Sequence, residues 1–193
     1  KTNSARTELG KYFPKLKTNA SVGYNYSLSN YQQLPANSTP TESSFIDVEG
    51  GNQGVSVKFN NNYFSWLSVD YNANWNFNNT KSPDDARFNN KTNSFNHALS
   101  AYVYPIKNHT LGFTWDELHS SNRERTAKNA FFDLSYQYSM SEEKIDLELK
   151  VLNITNNNVF ENVTFNSTFN QTSYTTVNIR PRQVVLTLKF NFK

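Results

Sequence analysis

The stretch Leu16-Lys-Thr-Asn-Ala-Ser-Val-Gly-Tyr-Asn-Tyr-Ser-Leu28 decides how the chain is read. One set of alternate positions holds Leu16, Thr18, Ala20, Val22, Tyr24, Tyr26 and Leu28; the other holds Lys17, Asn19, Ser21, Gly23, Asn25 and Ser27. Successive side chains of a strand point to opposite faces, so this period of two predicts a strand with one apolar and one polar face. The alternation is also long. Strands of soluble proteins centre on about 5–6 residues, whereas a strand crossing a bilayer needs about 9–11.

The pattern recurs along the chain. Leu67, Val69, Tyr71, Ala73, Trp75 and Phe77 stand against Trp66, Ser68, Asp70, Asn72, Asn74 and Asn76. Phe132, Leu134, Tyr136, Tyr138 and Met140 stand against Asn129, Phe131, Asp133, Ser135 and Gln137. Ile145, Leu147, Leu149 and Val151 oppose Asp146, Glu148 and Lys150, and Val184, Leu186, Leu188, Phe190 and Phe192 close the chain. Weaker alternation covers about 44–59, 92–104 and 110–119, which makes about eight strands in all.

Short connections are expected at Asn60–Tyr63, Pro105–His109 and Met140–Lys144, and longer polar ones at about 33–43, 78–88, 120–127 and 155–168. Alternating short and long connections characterise outer-membrane barrels, with tight periplasmic turns and longer extracellular loops. Tyr63, Phe64, Tyr102 and Tyr104 near the short turns suit an interfacial aromatic girdle. The expected fold is therefore all-β: an antiparallel up-and-down transmembrane β-barrel in a bacterial outer membrane. Residues 1–13 would end a preceding strand and its periplasmic turn, and 14–193 would supply barrel strands and long extracellular loops.

Composition agrees. Mean hydropathy is -0.73 and apolar residues make up 36%, too few to build a large dry core, yet 15% are aromatic, too many for a disordered chain. The formal net charge of +3 is scattered, with no basic cluster for nucleic acid. There is no Cys, hence no disulfide or zinc–thiolate chemistry.

Two segments resemble a known family. Arg180-Pro-Arg-Gln-Val-Val-Leu-Thr-Leu-Lys-Phe-Asn-Phe192 is similar to the last strand of TonB-dependent receptors of Bacteroidota, the SusC-like transporters included. Ile145-Asp-Leu-Glu-Leu-Lys-Val-Leu-Asn-Ile-Thr-Asn156 resembles their penultimate strand. The resemblance implies a nutrient-import barrel of about 22 strands with an N-terminal plug. This chain would be its C-terminal segment, forming pore wall and surface loops, with TonB acting through segments not present here and a surface lipoprotein as a further partner. It also implies that the barrel-assembly machinery reads Val184, Leu186, Leu188, Phe190 and Phe192, although the same residues would face lipid in any case. Lys193 departs from the family, which usually ends on the aromatic.

Candidate sites are modest. Trp66, Asp70, Asp133, Asp146, Glu148 and Lys150 share the polar, lumen-facing side, where solvated wall or internal ion pairs are the plain alternative. Phe160, Phe165 and Phe169 are the loop residues best suited to contact a ligand or partner. His97, His109 and His119 lack metal-ligand spacing, and Asp84-Asp85 and Glu142-Glu143 read as solvated loop and turn carboxylates. No catalytic or phosphate-binding pattern occurs, so no enzyme, metal or cofactor is expected. Two other architectures stay open: a complete small eight-stranded outer-membrane barrel with an adhesin or structural role, and a soluble carbohydrate-binding β-sandwich.

Overall fold

The computed structural model describes residues 1–33, 45–140, 144–166 and 171–190, with the side chains of Arg87, Phe165 and Asn166 excepted. Phe169 and Phe192 lie outside the described residues. Eleven strands run in chain order: β1 (Thr2–Phe13), β2 (Thr18–Gln33), β3 (Ile46–Asn61), β4 (Leu67–Lys81), β5 (Asn90–Val103), β6 (His109–Ser121), β7 (Thr126–Met140), β8 (Ile145–Leu152), β9 (Val159–Asn166), β10 (Gln171–Asn178) and β11 (Gln183–Phe190). Two single 3-10 turns, Pro14–Leu16 and Ala86–Phe88, are the helical elements among the described residues.

Nine strands form one antiparallel sheet in the order β1-β2-β3-β4-β5-β6-β7-β8-β11, and β9 and β10 pair as a separate hairpin. Neighbours in sequence are neighbours in space until β8, whose partner is β11: Leu149 stands opposite Leu186 and Leu147 opposite Leu188. All the strands read from alternation lie in this sheet. The expected eight become nine because Thr2–Phe13 pairs with β2 along its whole length, Leu9 opposite Val22. One connection expected to be long is tight: Asn122 N donates to Arg125 O at 2.9 Å, and Asn122 Oδ1 accepts from the backbone N of Glu124 and of Arg125. Among the described residues β1 and β11 are the two edges of the sheet, and no ladder joins them.

The two faces keep the chemistry of the alternation. Val55–Trp75–Phe95, Phe59–Tyr71–Leu99–Trp115–Phe132 and Leu134–Val151–Val184 are directly opposed rows on one face. Trp75 stacks on Phe95 at 4.6 Å and Trp115 on Phe132 at 5.6 Å between ring centroids. Among the described residues no second layer covers this face. Leu111, Leu134, Leu149 and Leu186 stay exposed, Leu186 at 65%. The one cluster of buried apolar residues among the described residues, Ile46, Val48 and Phe88, lies at the loop end of β3 and in the β4–β5 connection. A soluble sandwich would bury such a face between two sheets, and that dry interior is absent among the described residues.

The apolar band also climbs the sheet obliquely. Its loop-side limit is Phe77 on β4. On β5 it is Phe95, paired with Trp75 and not with Phe77. On β6 it is Trp115, paired with Leu99, while Glu117 and His119 above it are polar. The limit therefore drops by two residues from β4 to β5 and by four from β5 to β6. Strands tilted against a flat hydrocarbon slab need this stagger, and a barrel closes only with such tilt.

Candidate functional site: the polar face and the hairpin across it

Asn dominates the polar face because its amide both donates and accepts, so neighbouring strands can hydrogen-bond through their side chains. Asn25 Nδ2 donates to Asn52 Oδ1 at 3.1 Å, and Asn52 Nδ2 donates in turn to Asn78 Oδ1. Gly54 opposite Asn25 makes room for this ladder: a Cβ at Gly54 would meet Asn25 Oδ1 at 2.2 Å. Nearer the turns, Asn60 Nδ2 donates to Asp70 Oδ1.

The charged centre of this face lies where β8 meets β11. Glu148 is 9% exposed and holds Lys150 Nζ at 2.9 Å and Lys189 Nζ at 3.1 Å. A carboxylate can be buried at low cost only when both oxygens are engaged, and here each oxygen has its own ammonium. Lys189 was not among the residues singled out from sequence. Asp146 sits one pair further along, opposite Lys189 in the ladder.

Asp133 serves a structural end. Its Oδ1 accepts from Asn153 N at 2.7 Å. Asn153 has φ 52, a left-handed conformation that Asn tolerates better than most residues. Its side chain donates to Asn157 O at 2.6 Å and Arg180 O at 3.2 Å and accepts from Asn157 N at 3.1 Å. Asn156 Oδ1 accepts from Arg182 N at 3.0 Å, and Arg182 Nε donates to Ile154 O at 3.1 Å. The two distinctive C-terminal segments thus lock to one another, the turn after β8 holding the start of β11.

Between those segments the chain leaves the sheet as the β9–β10 hairpin and lies over the polar face at the loop ends of β6 and β7. Asn129 Nδ2 donates to Glu161 O at 2.7 Å and its Oδ1 accepts from Glu161 N at 2.9 Å. Ser120 Oγ accepts from Val163 N at 3.1 Å, and Asn122 Nδ2 donates to Thr172 Oγ1 at 3.0 Å. The docking buries Ala127 and Val163. At its outer side Arg125 sits over the Tyr174 ring, 4.9 Å from the centroid. A hydrogen bond to the Glu161 carboxylate holds the Tyr174 hydroxyl above its ordinary pKa.

Other residues singled out from sequence are dispersed. Trp66 lies in the turn before β4, half exposed, its ring 5.4 Å from Phe64, within a turn-side aromatic cluster that includes Tyr63. Phe160 lies in β9 opposite Val177, and Phe165 contributes backbone to β9 opposite Thr172. Val184, Leu186, Leu188 and Phe190 are exposed on the edge strand β11. On the apolar side, His97 is buried with Trp115 edge-on at 4.4 Å, and Glu117 pairs with Lys128 at 3.1 Å above the apolar limit.

No protein-family model matches the chain. No curated protein matches it. Among solved structures, outer-membrane expressed OmpT of Vibrio cholerae is similar over 94% of this chain and 53% of its own, at 11% identity and a TM-score of 0.45. OmpTdeltaL8, a loop L8 deletion mutant of OmpT and an outer membrane protein of Vibrio cholerae, is similar over 78% of this chain and 47% of its own, at 8% identity and a TM-score of 0.43. The chain spans about half the length of these structures. Both are outer-membrane proteins, the location expected for this chain from its alternation.

Two expectations are corrected by these findings. The resemblance to SusC-like TonB-dependent receptors of Bacteroidota does not stand: no family model supports it, and the similar structures are OmpT proteins. Its cause is physical, since the alternation of apolar and polar residues that carried it is common to strands of any outer-membrane barrel. The expectation that the chain is not an enzyme, drawn from the absence of a catalytic pattern, is not kept either: the similar solved structures are OmpT proteins.

Proposed function

We propose that the chain forms the wall of an outer-membrane β-barrel in a bacterium, its apolar face against lipid and its Asn-rich face against water. The small-barrel alternative is closer to this than a receptor segment. The observation that carries the reading is the oblique apolar band across β4, β5 and β6, mostly half-buried with Phe77 and Leu111 exposed, and without a covering layer among the described residues. Spanning strands must satisfy every backbone hydrogen bond within a sheet, and the antiparallel ladders supply those bonds for β2 to β8, each of which has a partner on both sides. Outer-membrane lipid and the barrel-assembly machinery are the partners in this reading, the latter through Val184, Leu186, Leu188 and Phe190. The β9–β10 hairpin then narrows the loop-side mouth of the lumen.

Adjacent residues on opposite faces provide the test, and the absence of native Cys makes single-cysteine variants clean. Leu149→Cys in outer-membrane vesicles should resist a charged, water-soluble maleimide and react with a lipid-soluble one. Lys150→Cys should react with the charged reagent. Equal reaction of both with the charged reagent, or recovery of the chain in the soluble fraction, would refute the proposal.

A further inference from the structure

The apolar face carries a notch at its loop end, a groove of about 640 Å³ between β2, β3, β4, β5 and the β6–β7 turn. The cause is β3. Tyr26 and Leu28 on β2 face Gln53 and Gly51 on β3, and Phe77 on β4 faces Gln53 from the other side. Two strands thus raise bulky side chains while the strand between them offers a glycine and an amide. The groove is mixed in character. Tyr26, Leu28 and Phe77 form its floor, continuous with Tyr24 and Trp75 in the apolar band. Gln53 and Asn93 supply amide groups in the same register row as Tyr26 and Phe77, and Lys91, one row nearer the loops, and Arg123, in the β6–β7 turn, supply cations.

Lys91 and Arg123 are exposed, and among the described residues neither has an ion-pair partner. The carboxylate lining the groove, Glu49, stands opposite Lys81 in the ladder, so cations outnumber anions at this rim. An apolar floor edged on its loop side by two cations without ion-pair partners suits a lipid that joins acyl chains to a phosphorylated headgroup.

We propose that this groove binds the phosphorylated headgroup of an outer-leaflet lipid, with Lys91 and Arg123 on a phosphate and acyl chains along Tyr26 and Phe77. The proposal rests on the membrane reading above. Free phosphate is the less suitable occupant, because it would leave the apolar floor uncovered. Arg is suited to bidentate phosphate contact, and charge-assisted bonds are the strong ones.

The test uses the chain folded in detergent micelles, its folding verified by heat-modifiable mobility on gels, with lipid binding read by native mass spectrometry. The probes are diphosphorylated lipid A, the same lipid with both phosphates removed, and inorganic phosphate. Diphosphorylated lipid should bind at least about tenfold more tightly than the dephosphorylated form, the scale of one charge-assisted contact. Lys91→Gln with Arg123→Gln should erase that preference while heat-modifiability stays intact. Gly51→Phe should block binding without removing charge; a Cβ at Gly51 has only ordinary contacts, Asn79 O at 3.8 Å and Leu28 Cδ1 at 4.0 Å. Lys107→Gln, in the β5–β6 turn at the opposite end, should change nothing. Equal binding of both lipids, or unchanged binding by the double variant, overturns the proposal and leaves the barrel reading standing. Competition by millimolar phosphate as effective as lipid overturns the lipid as occupant.

Discussion

Asn129 holds the backbone of Glu161 at both of its polar groups, donating to the carbonyl at 2.7 Å and accepting from the amide N–H at 2.9 Å. A side-chain amide here stands in for the edge of a strand, so a hairpin outside the sheet is bonded much as a strand within it would be. Asn129 is 5% exposed. Its replacement by Ala leaves a buried donor and acceptor of the hairpin unpaired, which costs about 1–3 kcal/mol of docking free energy. Hydrogen exchange at Glu161 and Val163 should accelerate in Asn129→Ala while exchange in β4 and β5 stays unchanged.

Tyr174 gives the same docking a pH dependence. Glu161 favours the protonated phenol, so the folded-state pKa lies above that of an unfolded tyrosine. A raised pKa contributes stability that is complete below the unfolded value, about 10, and is lost as pH rises through the folded one. The hairpin should therefore loosen at strongly alkaline pH. Ultraviolet titration of the wild type against Tyr174→Phe should show one tyrosine ionising late, and Glu161→Gln should bring it back towards the others.

Glu148 sits between two lysines whose side chains are 40% and 51% exposed. Water screens those lysines, so Glu148→Gln should cost about 1–2 kcal/mol, below the value for a fully buried pair. Urea unfolding in micelles should read a lower midpoint with an unchanged slope. An equal loss in Lys150→Met and in Lys189→Met would show that each ammonium contributes.

Asn153 combines a positive φ with a network of side-chain bonds. Asn153→Gly keeps the conformation and loses the bonds, whereas Asn153→Ala loses both. Ala should therefore be the more destabilising by about 1 kcal/mol. Trypsin cleavage after Arg182 should rise in the order wild type, Gly, Ala, since Arg182 is tethered to this turn, while the Arg180–Pro181 bond resists trypsin throughout.

Much of the sheet was legible because period-two alternation is a direct imprint of a two-faced strand. β1 was harder to see: Asn3, Ala5, Thr7, Leu9 and Lys11 alternate in no hydrophobic sense, and pairing with β2 makes it a strand. The β9–β10 hairpin was hidden for another reason. Val159, Phe160 and Val163 put apolar groups on both sides, and the hairpin is fixed by Asn129 and Ser120 from strands more than thirty residues away in sequence. Side chain to backbone contacts of that reach leave no local period. Glu148 with Lys150 was visible on one strand, but Lys189 required the β8–β11 pairing to be known.

The excursion between β8 and β11 bears on the order in which the sheet assembles. Each earlier strand from β2 to β8 needs only a turn or loop to reach its neighbour, so the meander can zip up pair by pair. β11 must close across residues 153–182, which costs about 2 kcal/mol more chain entropy than a four-residue turn. The last seam to form is then the one holding Glu148 to Lys189, and mutations at Asn153 or Arg182 should slow maturation of the protein more than they weaken it once made.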